Sequence, residues 1–188
     1  MIAIFGAPGA GKSMQGRLLS RKYGWQWISA RELFIGLHDK DVTQALNCGM
    51  TVEDEKAIAV LNSALNRADR NAILDGFPSS VSQIYWMIEN NKLRDIQGAI
   101  VLRVPRGELW KRLVERKRVD DTRAAIERRQ DLYERTITGM VRVLSMNGIE
   151  VREVNGCNEP EDVLERIEEV LGDWNIIAKK QFQNIGYR

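Results

Sequence analysis

Near the start of the chain, Gly6-Ala7-Pro8-Gly9-Ala10-Gly11-Lys12-Ser13 combines the residue types and the spacing that hold a polyphosphate. Glycine has no Cβ, so backbone N–H groups can turn inward around anionic oxygens and the anion can approach closely. A lysine closing such a loop sets a cation against the outer phosphates, and a hydroxyl beside it is of the type that ligates Mg2+. The apolar run Ile2 to Phe5 precedes the loop and a helical run begins near Met14, so the motif sits in the strand–loop–helix context it requires. The expected contacts to the nucleoside triphosphate ATP are Gly9, Ala10, Gly11, Lys12, Ser13 and Met14.

A second acidic signal follows. Ala72-Ile73-Leu74 is a short apolar run ending in Asp75. Taken alone, an Asp at a strand end is more often a turn or helix cap. Beside a phosphate loop it is expected to hold Mg2+, through water, together with Ser13.

Positive charge recurs later in the chain at Arg112, Arg116, Arg118 and Arg129. Arg129 falls inside a helical stripe of Ile126, Tyr133, Ile137, Met140 and Leu144, where a charge must be paired. Its partner is either the Asp120-Asp121 pair or a bound phosphate. Transfer of a metaphosphate-like group depends on positioning and on fixed positive charge, which guanidinium groups supply better than flexible ammonium groups.

These residues need elements to position them. Apolar runs at Ile2 to Phe5, Trp25 to Ile28, Ala72 to Leu74, Ala99 to Val104 and Ile149 to Val154 alternate with helix-length segments. That alternation predicts a three-layer α/β/α fold with a five-stranded parallel sheet. Residues 29–68 hold no convincing strand, and Ala57, Ile58, Leu61, Ala64, Leu65 and Ala68 keep helical spacing, so this stretch reads as a small helical insertion. At 188 residues the chain suits one domain, expected over 1–172, with 173–188 as a C-terminal tail that docks on the core or pairs with another chain.

With those residues in hand, the chain resembles the adenylate kinase family of nucleoside monophosphate kinases, which have a P-loop fold. The likeness rests on the phosphate loop, Ile28-Ser29, Leu74-Asp75-Gly76-Phe77-Pro78 with Gln83, and Arg118-Val119-Asp120-Asp121 through Arg129 to Tyr133. The resemblance implies transfer of the γ-phosphoryl group of Mg-ATP to a nucleoside monophosphate, most simply AMP. It implies that Lys12, Arg118 and Arg129 surround the transferred group, that Arg112 lies over the ATP base, that Arg116 contacts the ATP phosphates, and that Asn158 offers backbone contacts to the adenine. On the acceptor side it implies Gln83 at the base, Gly76 and Val52 lining the same site, and Ala30 and Arg31 beside them with Arg118 and Arg129.

The sequence also departs from the family pattern. Ile35 and Ser79 stand where two acceptor-binding arginines are expected, and the lid between Arg116 and Arg118 shrinks to Lys117. Arg31 is then either a substitute for a missing arginine or a solvated first-turn residue. With so little lid, some wasteful ATP hydrolysis is expected. The alternatives to AMP are another (deoxy)nucleotide, a small metabolite, or a non-catalytic nucleotide-binding role.

The rest of the sequence narrows the class. Net charge is +2, from 28 basic and 26 acidic residues, which gives no global field to collect nucleic acid. Trp25, Trp27, Trp86, Trp110 and Trp174 are scattered rather than arranged as a stacking platform. No run is long enough to span a membrane, and the N-terminus lacks a signal-peptide pattern, so a cytoplasmic address and no membrane partner are expected. Cys48, Cys157 and the single His38 have no metal-ligand spacing. Asn91-Lys92-Leu93-Arg94 ends in Arg where a guanine-reading element needs Asp. A monomer is expected, with a dimer through the tail as the alternative.

Overall fold

The computed structural model describes residues 1–178. Five parallel strands, β1 (Ile2–Gly6), β2 (Gln26–Ser29), β3 (Ala72–Asp75), β4 (Gly98–Arg103) and β5 (Val151–Asn155), form one sheet in the order β2-β3-β1-β4-β5. The helices are α1 (Lys12–Tyr23), α2 (Ala30–Gly36), α3 (Lys40–Asn47), α4 (Asp54–Leu65), α5 (Val81–Glu89), α6 (Arg106–Arg116), α7 (Arg123–Met146) and α8 (Pro160–Asp173). The expected three-layer arrangement is observed.

Period-two alternation sorts the strand residues onto two cores. Ala3, Phe5, Ala72, Leu74, Ala99 and Val101 face one side with residues of α4, α5 and α7. Ile2, Ile4, Ile73, Ile100 and Leu102 face the other with Leu19 of α1 and Val163, Ile167 and Leu171 of α8. Because both faces are covered, β1 is buried along its whole length and reads as an unbroken apolar run.

Strand order reverses around β1, which pairs with β3 on one side and β4 on the other. In such sheets the crevice beyond the strands' carboxyl ends, at the switch point, is where ligands bind. The phosphate loop leaves β1 at that point. Register places Ile4 against Asp75 and Ser29 against Asp75, so the carboxylate arrives at the same edge.

Two strands begin later than the apolar pattern predicts. Trp25 precedes β2 and stacks near Tyr23, with ring centroids 5.2 Å apart. Ile149 donates its N–H to Leu144 O at 3.1 Å, so it caps the end of α7 instead of extending β5.

The stretch between β2 and β3 is helical. Ser29 caps α2, and Asp39 caps α3 by accepting from the N–H groups of Asp41 and Val42. Helix α4 buries Ala57, Leu61 and Leu65. Between α3 and α4 the chain touches the start of α7: Arg128 donates to Cys48 O at 2.8 Å, and Gly49 packs on the Ala125 backbone. Trp174, Ile176 and Ile177 pack on the core beside α8, whereas Phe182 and the rest of the predicted tail lie outside the described residues.

Candidate active site

The phosphate loop is shaped by three glycines with positive φ: Gly6 at 153°, Gly9 at 90° and Gly11 at 96°. A Cβ on Gly9 would press on Leu113 and on Leu109 O, while one on Gly11 would meet no atom, so at Gly11 backbone conformation alone requires glycine. Helix α1 starts at once, with no acidic residue of its own in its first turn, and its positive dipole end faces the loop. Lys12 Nζ donates to Gly6 O at 2.7 Å and Ala7 O at 3.1 Å. Burial lowers its pKa; Asp75 opposes that, and Arg116 and Arg129 reinforce it.

Ser13 Oγ donates to Asp75 Oδ2 at 2.6 Å. A hydroxyl and a carboxylate, both hard oxygen donors, therefore stand together at the loop's mouth and fit Mg2+. Among the described residues no group of three His, Cys, Asp or Glu side chains could cage a metal. Magnesium would accordingly take most of its ligands from phosphate and water.

Across the crevice, four arginines surround two buried carboxylates. Arg129, 17% exposed, donates to Asp120 Oδ2 at 3.1 Å, Asp120 O at 3.0 Å and Asp121 Oδ1 at 2.7 Å. Arg116 binds Asp121 through two nitrogens, at 2.8 and 2.7 Å. Arg31 reaches Asp120 at 2.9 Å. Arg118 stands next to them with no carboxylate bonded to it among the described residues. Burial first, then Arg116 and Arg31, lower its pKa, which marks a place where positive charge is concentrated and an anion is favoured. For Asp121, burial pulls the pKa up, but the bonds from Arg116 and Arg129 outweigh it and hold the group below 3.8.

Gln83 is buried and fixed at both ends. Its Oε1 accepts from Ser79 N–H at 2.7 Å and Ser79 Oγ–H at 3.1 Å, and its Nε2 donates to Asp54 Oδ1 at 2.7 Å. A backbone N–H can only donate and a carboxylate can only accept, so the amide's orientation is fixed. Ser80 and Ser82 also donate to Asp54.

One cavity of about 480 Å³ joins these parts. Of the residues expected at the site, it is lined by Gly9, Gly11, Lys12, Ser13, Met14, Ala30, Arg31, Val52, Asp75, Gly76, Gln83, Arg112, Arg116, Arg118 and Arg129. Two lie apart from it. Ala10 is buried behind the loop, and Asn158 is exposed on the turn after β5. Arg112 binds that same turn, donating to Gly156 O at 2.8 Å and Cys157 O at 3.2 Å.

Sequence reasoning missed Asp54, Ser79 as a partner of Gln83, and Arg17. Asp54 looks like an ordinary first-turn acid. Arg17 lines the cavity with its guanidinium 4.7 Å from the Trp27 ring centre, and only the close approach of Trp27 to Gly16 brings them together.

Comparison with known proteins gives a family match. A sequence model of the adenylate kinase family matches residues 4–149. An adenylate kinase of Prochlorococcus marinus (strain NATL1A) is 29% identical, covering 91% of this chain and 98% of its own. An adenylate kinase of Azobacteroides pseudotrichonymphae is 33% identical, with 90% and 96% covered. One from Mycobacteroides abscessus is 35% identical, with 70% and 78% covered.

Proposed function

The chain belongs to the adenylate kinase family, and from that we propose the reaction ATP + AMP = 2 ADP, with Mg2+ accompanying ATP. It is a phosphotransferase acting on nucleotides. Gln83 carries the choice of AMP. Its carbonyl is spent on Ser79 and one amide hydrogen on Asp54, leaving one N–H to offer a base. An adenine edge presents an acceptor nitrogen there, whereas guanine, uracil and thymine present an N–H, which two donors facing each other would reject.

In the transfer, an oxygen of the acceptor phosphate bonds to the γ-phosphorus as the bond to the β-γ bridging oxygen breaks, and ADP leaves. The protein forms no covalent bond; it aligns the two oxygens and neutralises charge. Backbone N–H groups of the loop from Gly9 to Ser13 hold the donor phosphates. Lys12 turns from Gly6 O and Ala7 O onto the outer phosphates. Arg118, bonded to no carboxylate among the described residues, and Arg129, held by Asp120 and Asp121, flank the moving group. Arg116 serves the donor phosphates, and Arg112, fixed on the Gly156–Cys157 turn, lies by the donor base with Asn158. Bound magnesium, next to Ser13 and Asp75, would supply positive charge at the donor phosphates.

Gly76, Val52 and Ala30 shape the acceptor pocket. The same reading takes the enzyme as a monomer, with a dimer through the tail as the alternative. Among the described residues no helix is long and apolar enough to cross a membrane, and the reading places the enzyme with the nucleotide pool of the cytoplasm.

Purified protein incubated with Mg-ATP and, separately, AMP, dAMP, CMP, UMP, GMP and TMP tests this, with diphosphate formation measured by chromatography. AMP is expected to turn over fastest and GMP, UMP and TMP slowest. Turnover confined to another nucleotide relocates the acceptor, and silence with all six overturns the reading.

A further inference from the structure

An acceptor phosphate is a dianion and needs a fixed cation on the acceptor side of the cavity. Of the cations lining it, Lys12 and Arg17 come from α1, Arg112 and Arg116 from α6, Arg118 from the link after α6, and Arg129 from α7. Among the described residues Arg31 is the one cavity-lining cation carried by the helical insertion. Ile35, in the same helix, is apolar and half exposed, and Ser79 has committed both its hydroxyl and its N–H to Gln83.

Arg31 does not behave as a solvated surface residue. It sits in the first turn of α2, directly past the carboxyl end of β2. Its side chain, 32% exposed, crosses to Asp120, whose carboxylate is 4% exposed. That carboxylate already accepts from Arg129 at 3.1 Å. Arg31 can therefore leave without orphaning a buried charge, which is the condition that makes such an exchange inexpensive.

We propose that Arg31 is a ligand of the acceptor's phosphate, its guanidinium turning from Asp120 onto the phosphate oxygens while Arg129 keeps Asp120 satisfied. The assignment rests on the AMP-acceptor reading. It gives Arg31 two positions: with Asp120 it ties the insertion to the link between α6 and α7, and with phosphate it ties the insertion to the substrate.

Calorimetric titration of AMP and of adenosine into the wild type, Arg31→Ala and Arg31→Lys separates phosphate binding from a structural role. Arg31→Ala should weaken AMP by about tenfold or more and leave adenosine within about twofold, with Arg31→Lys between. Unchanged AMP affinity in Arg31→Ala overturns the assignment, as does equal weakening of AMP and adenosine, the mark of a merely structural arginine. A wild type that binds AMP no better than adenosine overturns this assignment and the AMP reading together, so the two failures are distinguishable.

Discussion

Gly49→Ala tests whether the helical insertion works by resting on α7. Gly49 has φ +69°, and an added Cβ would lie 2.5 Å from Ala125 O, 2.8 Å from its Cα and 3.0 Å from its carbonyl carbon. These are backbone atoms and cannot swing aside. Relieving the overlap requires the two segments to separate by roughly 1 Å, since non-bonded carbon contacts settle near 3.5 Å. The neighbouring bond from Arg128 to Cys48 O, 2.8 Å long, would then pass the limit of a useful hydrogen bond. The left-handed backbone adds about 1–2 kcal/mol for alanine. The insertion carries Arg31 and Val52, and a misplacement of about 1 Å in a group-transfer site can cost on the order of a hundredfold in rate. Gly24 is the matched control. Its φ is +68° and a Cβ there meets nothing within 4 Å, so Gly24→Ala has the same strain without the clash. Steady-state kinetics with AMP varied at saturating ATP should show a fall in kcat/KM of about tenfold to a hundredfold for Gly49→Ala. Gly24→Ala should stay close to wild type, and ATP affinity should hold in both. Gly49→Ala kinetics indistinguishable from those of Gly24→Ala would refute the reasoning.

Three further outcomes are expected. Lys12→Met should cut turnover by about 10²–10³-fold while the unfolding midpoint holds or rises, because burial disfavours the charged ammonium; a midpoint that drops with activity would contradict this. Asp121 has a folded pKa held below 3.8, so its stabilisation is complete above that value and is lost as pH falls through the lower folded one. Asp121→Asn should therefore unfold more easily at pH 7 and show a shallower loss of stability in acid, measured by denaturant melts between about pH 2 and 7; an unchanged acid slope would count against the pairing. Helix α6 ends at Arg116, α7 begins at Arg123, and Val119 between them is 92% exposed, so residues 117–122 can exclude little water from the donor phosphates. Mg-ATP without acceptor should release phosphate slowly, and a rate at the level of a protein-free blank would show that water is excluded by other means.

What could be read from the sequence was local. The loop Gly6 to Ser13 and its flanking strand and helix are specified within about one turn of chain, and the five strands follow from apolar runs bounded by breakers. Asp75 gained meaning only from its neighbour in register, yet its strand-end position was enough to suggest it. The pairings that set the acceptor side join residues far apart. Asp54 meets Gln83, Arg31 meets Asp120, and Arg128 meets Cys48 O. No periodicity encodes such contacts, because they depend on how α2, α4 and α7 pack. Gly49 illustrates the gap: in the sequence it is one more loop glycine, and only the approach of Ala125 gives it a steric role.

The aspartate pair explains how so many cations share one crevice. Lys12, Arg31, Arg116, Arg118 and Arg129 would repel one another, and the lowered pKa values of Lys12 and Arg118 record that repulsion on top of burial. Asp120 and Asp121 counter it by pairing with three of the arginines, and for Arg116 and Arg129, which keep those pairs, this reduces the entropy lost when substrate binds. They do not neutralise the site, because Lys12 and Arg118 bond to no carboxylate among the described residues. The carboxylates thus act as a frame that sets where guanidinium groups stand, while the surplus charge is left for phosphate. On this argument, replacing either aspartate should damage phosphoryl transfer although neither lines the cavity, and the damage should come from misplaced arginines rather than from a lost ligand.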